Sequence, residues 1–485
     1  MRRKPRVLFA IFEAEPFLKT GGLGDVGGAL PPVVKKAGCE IRVIMPKFGV
    51  IDEKYKAKMK HETDFYLDLG WRRLYCGIEK MTYKGVVYYF VDNEYYFRRD
   101  SAYGYYDDGE RIAFFSKAVT ECIQYLPDFK CDIIHCNDWH TALVPVFLRE
   151  FYQGIPEYER IKTIFTVHNL KFQGVYSKFV LGDVLGLHRI PAAADQLSFG
   201  DDAINYMKGA LCYSDILTTV SPTYSWEIRN AYFGEHLEDI FNRRSDILYG
   251  ILNGVDYGLY DPSVDKSIVE NYDLSSLEKK KACKQAVQKE LGLEVNPDIP
   301  LVVMVSRLTE QKGLDLIRPI LDEFLDERVQ FAVLGVGDTE YEDLLRNKAE
   351  ERPEKMAACL GFNGTLSHAL YAAGDMFLMP SKFEPCGLSQ MIAMRYGNLP
   401  IVRETGGLKD SVTPYNKYTG EGTGFSFANY NAHELLYTLK EAIRIYAEEP
   451  EAWHKLIENA MTADFSWGNS AQKYMDLYRS ICPTK

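Results

Sequence analysis

The chain has 485 residues, enough for several domains of ~100–200 residues each, and its 46% hydrophobic content can build more than one core. A net charge of −11 argues against nucleic acid or an anionic membrane surface as a partner. An anionic substrate would need positive charge concentrated locally.

The chain opens on a basic run, Met1-Arg2-Arg3-Lys4-Pro5-Arg6. The apolar run 7–12 behind it is too short for a signal h-region and stops at Glu13. No later run approaches the ~18 apolar residues of a membrane span. Short β-branched runs then alternate with longer helical patterns, which predicts parallel sheets. The first series gives strands at 7–14, 41–45, 132–136, 163–167 and 216–221, with a helix from the glycines after Lys19 to near Lys36. The stretch 65–91 differs: its strands alternate with few helix signals and read as an inserted β-meander. Asn253-Gly254 marks a turn that closes the first series, and a polar, charged stretch follows at 265–284. The second series gives strands at 301–306, 330–334, 357–360, 375–379 and 400–402. The fold class is therefore α/β, with two doubly wound Rossmann-like domains expected at 1–250 and 251–464. The ten cysteines show no C-x-x-C pair and lie in apolar stretches such as Ile133-Ile134-His135-Cys136. They read as reduced, mostly buried thiols of a cytoplasmic protein. The 33 Tyr and 26 Phe suit a carbohydrate binder, and core packing explains them equally well.

Chemistry-bearing residues recur just past strand ends, where open α/β sheets bind ligands. Five glycines at 21, 22, 24, 27 and 28 let backbone approach a ligand closely, and N–H groups at a helix start favour an anion. Gly22-x-Gly24-x-x-Gly27 is also the spacing of the dinucleotide fingerprint, so an NAD-dependent oxidoreductase is a rival. The stretch from strand end to Gly22 is long for that tight turn, and Glu40 stands at the start of the next strand rather than its end. Asp138-Trp139-His140 follows the strand 132–136, and His168-Asn169 follows 163–167. No H-x-x-x-H or H-x-x-E-H spacing points to zinc. His, Asp and Asn side chains do match the several hydroxyls of a sugar. A satisfied core histidine is the plain alternative for His140. Arg307 and Lys312 follow 301–306; a guanidinium takes two phosphate oxygens and an ammonium adds a point charge. Gly335-Val336-Gly337-Asp338 ends the strand 330–334 in a turn able to carry a ribose or phosphates. Lys382-Phe383-Glu384-Pro385-Cys386-Gly387-Leu388 follows 375–379 and aims Glu384 at the carboxyl edge.

Together KTGGLGD from Lys19, Asp138-Trp139-His140, Val167-His168-Asn169, Arg307 with Lys312, and FEPCGL from Phe383 resemble the bacterial and plant glycogen/starch synthases, glycosyltransferase family 5. The resemblance covers nearly the whole chain. It implies the GT-B fold, two domains facing a cleft, with the last helix, 465–485, returning to the first domain. It implies transfer of α-glucosyl from ADP-glucose, or UDP-glucose, to the non-reducing end of an α-1,4-glucan with retention. No metal is expected, since Lys19, Arg307 and Lys312 can supply the positive charge, and no lysine context advertises pyridoxal phosphate. Glu384, His168, Asp138, Lys312 and Arg307 are the implied catalytic group. The resemblance places Lys19, Gly21, Gly22, Arg307, Lys312, Gly335, Gly337, Gly387, Leu388 and Ser389 on the donor and its phosphates. It places Asp25, Asp138, His140, His168, Asn169, Asn253 and Cys386 on sugar or acceptor. A carboxylate beside a diphosphate would be repelled, so Glu384 is expected on the sugar side. The chain departs from relatives at Ser389 and Val336, where Thr is frequent. Ile392 stands where E-x7-E glycosyltransferases carry a second Glu. A glucan phosphorylase-like enzyme and a catalytically inactive glucan-binding protein stay open beside the oxidoreductase.

Overall fold

The computed structural model describes residues 4–482. Met1, Arg2 and Arg3 of the basic opening, and 483–485 of the expected last helix, lie outside them. The chain forms two compact units: one runs to Asn253 and resumes at Trp467, and the other is Gly254–Ser466. Among the described residues no helix is long and apolar enough to cross a membrane.

The strands of the first unit are β1 (Arg6–Ala10), β2 (Glu40–Pro46), β3 (Lys60–Leu69), β4 (Arg72–Tyr83), β5 (Val86–Asp92), β6 (Ile133–Asn137), β7 (Lys162–Val167), β8 (Val175–Ser177), β9 (Ser198–Phe199), β10 (Ala203–Asn205), β11 (Ile216–Thr219) and β12 (Leu248–Gly250). Nine of them make one sheet in the order β12-β11-β7-β6-β1-β2-β5-β4-β3, while β8, β10 and β9 form a small sheet of their own. From β12 to β5 all neighbours are parallel, and β5-β4-β3 is an antiparallel ribbon. Parallel strands are covered on both faces, so they must be apolar throughout. Accordingly Val7, Leu8, Phe9 and Ala10 of β1 have no solvent exposure. The ribbon extends the parallel sheet, because β5 pairs with β2 from Arg42↔Val87 to Pro46↔Val91. The expected first strand 7–14 ends early, at Ala10. Beyond it the chain turns back, and the N–H groups of Phe17 and Leu18 both donate to the Ala14 carbonyl, at 2.9 and 3.0 Å.

The helix Trp467–Ile481 completes this unit. Its Trp467, Ala471, Tyr474, Met475 and Tyr478 recur at helical spacing and are all buried. Burying one such large side chain contributes about 1.5–3 kcal/mol. Tyr478 also ends a polar string through the sheet. Its hydroxyl meets His135 Nδ1 at 2.7 Å, and His135 Nε2 meets Thr166 Oγ1 at 2.7 Å.

The second unit holds β13 (Leu301–Val305), β14 (Gln330–Gly335), β15 (Met356–Leu360), β16 (Met376–Met379), β17 (Leu399–Arg403) and β18 (Phe425–Phe427). They form one wholly parallel sheet in the order β15-β14-β13-β16-β17-β18.

Candidate active site

The parallel part of each sheet reverses its strand order once. In the first unit β1, β2 and, after the chain has run out to the edge and back through β3 and β4, β5 lie on one side, and the chain then winds from β6 outward on the other. In the second it winds from β13 to β15, then from β16 to β18. Two loops diverge at each reversal and leave a crevice at the carboxyl edge. The candidate residues fall on these loops: Lys19 after β1, Asp138 after β6, Arg307 and Lys312 after β13, Glu384 after β16.

In the first unit the loop after β1 is held from beneath by Glu13. This buried carboxylate accepts the Thr20 N–H at 2.6 Å, the Thr20 hydroxyl at 2.8 Å and the Tyr103 hydroxyl. Lys19 Nζ donates to Asp25 Oδ1 at 2.6 Å, on the first turn of the helix Gly22–Lys36. Gly21 and Gly22 stand exposed at that helix start. Helix and loop touch: a Cβ on Gly27 would lie 2.4 Å from the Glu13 carbonyl oxygen. The chain leaves β1 at Ala10 and starts the helix only at Gly22, so no tight dinucleotide turn forms.

Asp138 closes β6 at φ 60° and ψ 176°. Few residues other than glycine adopt this conformation, and strain of this kind collects at functional sites. The carboxyl is buried, and its Oδ1 has no hydrogen-bond partner among the described residues. Burial pushes it up to about 8, against the opposing pull of the Trp139, His168 and Asn169 N–H groups.

Asn137 Nδ2 donates to the carbonyls of Ala10 and His135, so its Oδ1 is the acceptor facing His168 Nε2 at 3.1 Å. Burial pushes His168 down to about 3. The ring is therefore neutral, with the proton on Nε2 and a lone pair on Nδ1. His140 is equally depressed by burial, to about 3, and is packed among aromatic rings: Phe12 stacks on it at 4.9 Å, with Tyr103 at 5.0 Å. Asn169 Oδ1 accepts the Lys171 N–H at 3.1 Å. Asn253 is buried, and its Oδ1 has no partner among the described residues.

In the second unit Lys312 Nζ donates to Glu384 Oε2 at 2.5 Å, and Ser381 Oγ donates to the same oxygen at 3.1 Å. The carboxylate is buried and paired, as a charge in that position must be. Glu384, expected on the sugar side, thus pairs with Lys312, one of the cations expected at the phosphates. Arg307 is exposed. Glu384, Cys386 and Gly387 belong to a loop pressed against the turn Thr405-Gly406-Gly407. A Cβ on Gly407 would lie 1.9 Å from the Cys386 carbonyl oxygen, and Gly407 N–H donates to the Glu384 carbonyl at 3.0 Å. Gly387 turns the chain at φ 68°, Leu388 caps the helix Ser389–Arg395, and Ser389 is its first residue. Gly335 is the last residue of β14 and Gly337 lies on the loop after it, where the Gly337 N–H is already taken by Glu342 Oε1 at 2.9 Å. Among the described residues no group of three or more His, Cys, Asp or Glu could hold a metal ion.

Sequence reasoning passed over Glu13 and Asn137, which orient Thr20 and His168. It also passed over Phe362, 95% exposed on the loop after β15. An aromatic between Gly361 and Gly364 directly after a strand was the available signal.

Residues 6–243 match the family profile described as starch synthase catalytic domain, and 289–462 that of glycosyl transferases group 1. Glycogen synthases of Clostridium acetobutylicum and Desulfitobacterium hafniense are each 50% identical over 476 residues, which is 98% of this chain and 100% and 99% of theirs. The chain belongs to the glycogen/starch synthase family. It is a glycosyltransferase of the glycogen synthase type, and its two Rossmann-like units are those of the GT-B fold. The catalytic domain of Arabidopsis thaliana starch synthase IV, solved with ADP and acarbose, superposes with a TM-score of 0.90 at 33% identity, covering 99% of this chain and 100% of that one. A sucrose-phosphate synthase from Thermosynechococcus elongatus shares the fold at TM-score 0.62 and 17% identity, covering 99% of each chain. Membership of the glycogen synthase family leaves no place for the oxidoreductase reading.

Proposed function

We propose that the protein transfers the α-glucosyl group of ADP-glucose to the non-reducing 4-hydroxyl of an α-1,4-glucan, with retention, in the cytoplasm and without metal or pyridoxal phosphate. The observation that carries this reading is the Lys312–Glu384 pair at 2.5 Å, a cation and a carboxylate together at the strand reversal of the second unit. In the reaction the bond from glucose C1 to the β-phosphate oxygen breaks. The bond from C1 to the acceptor O4 forms on the same face, and the acceptor proton leaves on the departing ADP. Lys312 and Arg307 stabilise charge growing on the diphosphate, while Glu384 opposes positive charge growing at the sugar ring. Lys19 adds a third cation for phosphate. Neutral His168 offers Nδ1 to a sugar hydroxyl, and Asp138 meets the acceptor. Phe362 presents a ring on which the base can stack. The ADP held by the Arabidopsis relative supports adenine over uracil. The ten free thiols fit a reducing compartment.

The test is transfer of labelled glucose to glycogen from ADP-glucose and from UDP-glucose, each with and without EDTA. Faster transfer from ADP-glucose, unchanged by EDTA, is expected. Preference for UDP-glucose overturns the donor assignment, and EDTA inhibition reversed by a divalent ion overturns the metal-free reading.

A further inference from the structure

Lys312 and Glu384 belong to different loops, yet they meet at 2.5 Å. Such a pair keeps its geometry only if both backbones are fixed. Part of the fixing is direct. Lys382 N–H donates to the Gln311 carbonyl at 2.9 Å, and Lys382 Nζ to Glu310 Oε1 at 2.6 Å. Two further side chains tie these loops to the rest of the sheet edge. Arg403, the last residue of β17, donates from Nη1 to the Lys382 carbonyl at 2.5 Å. Tyr430 precedes the helix Ala432–Glu448, and its hydroxyl donates to Asp315 Oδ1 at 2.6 Å, with the Glu310 carbonyl at 3.2 Å. The Tyr430 ring lies 5.8 Å from Lys382 Nζ and 5.4 Å from Arg403 Cζ. One tyrosine thus gathers the chain after β13, the chain after β16 and the end of β17.

We propose that Tyr430 and Arg403 are positioning residues of the transfer reaction, holding Lys312 and Glu384 at a fixed separation. The inference rests on the reading of those two as reacting-site groups. It matters because a displacement of ~1 Å at a reacting group can cost about 10²-fold in rate. Tyr430→Phe removes one hydroxyl and keeps the ring; Arg403→Lys keeps the charge and loses the planar fork.

The experiment measures kcat, KM for ADP-glucose and the thermal melt of wild type, Tyr430→Phe and Arg403→Lys, with kinetics well below every melt. The two single variants are then repeated in a Glu384→Gln background. Each single variant is expected to lose about 5–20-fold in kcat with KM changed less than about 2-fold. In the Glu384→Gln background the same changes should lower kcat by clearly less than in the wild type, because residues acting through one another are not additive. A wild-type enzyme that transfers no glucose sinks the functional reading itself. With an active wild type, unchanged kcat in both variants overturns the positioning role, even if their melts fall. Full multiplicative losses in the Glu384→Gln background also overturn it, by showing that they act elsewhere.

Discussion

Glu384 receives Lys312 Nζ and Ser381 Oγ on one oxygen. In the proposed reaction its second oxygen would face the sugar, and its benefit would grow as the bond to phosphate breaks and positive charge spreads over the ring. That would be stabilisation of the transition state rather than of bound donor. Glu384→Gln keeps the size and most hydrogen bonds while removing the charge. It should lower kcat by about 10²-fold or more with nucleotide affinity nearly unchanged, read from initial rates and ADP titration. Wild-type kcat with a raised donor KM makes Glu384 a binding residue instead. Lys312→Ala should also cost about 10²-fold or more in kcat, and near-normal turnover removes Lys312 from the phosphate site. Glu384 and Lys312 could each be picked out in the sequence because their loops directly follow apolar strands. Their pairing could not, because the two are 72 residues apart and only the fold brings them together. Glu13 was hidden for the same reason: it ends an apolar run, and its partner Tyr103 is 90 residues away.

At the level of elements, the ends of β6 and β7 concentrate groups that burial keeps uncharged. His135, His140 and His168 are each pushed from 6.5 to about 3. The unfolded chain then binds more protons than the folded one across that window, so stability falls as pH drops below about 6.5. Asp138 works the other way, from 3.8 to about 8. Here the folded chain binds the extra proton, so stability falls as pH rises from about 4 to 8. Three histidines outweigh one carboxyl in the overlap, and above 6.5 only Asp138 of the four still titrates. The first unit should therefore be most stable near pH 6.5 and weaken toward pH 8. Asp138→Asn, which keeps the size of the side chain and removes the titrating carboxyl, should abolish the weakening. Thermal melts from pH 4 to 8 on both proteins check this, and a decline that persists in Asp138→Asn assigns it to other groups. The long parallel strands were legible because burial on both faces writes them as continuous apolar runs. Three-residue strands such as Leu248–Gly250 and Phe425–Phe427 carry too little pattern to read. Where β1 ends was equally hidden, since Ile11 and Phe12 are as apolar as the strand before them.

Over the whole molecule the first unit is assembled from two distant stretches of sequence, and the helix Trp467–Ile481 joins it through Tyr478 and His135. Tyr478→Phe would leave His135 Nδ1 buried without its partner, at a cost of about 1–3 kcal/mol. The melting transition of the first unit should shift down by a few degrees, and an unchanged melt would mean that the bond adds nothing to stability. The sequence divided the chain into its two series by counting strands. That the first series needs a helix from the far end came from family likeness, since nothing in the amphipathic pattern of 467–481 names the surface it covers. This discontinuity bears on synthesis. A ribosome works from one end, so Gly254–Ser466 is complete while the earlier-made unit still lacks its closing helix. The usual order, first domain made and first domain finished, is inverted. A nascent chain stalled just before Trp467 should yield protease-resistant fragments from the second unit and few from the first. Release of the remaining residues should then convert both to resistance.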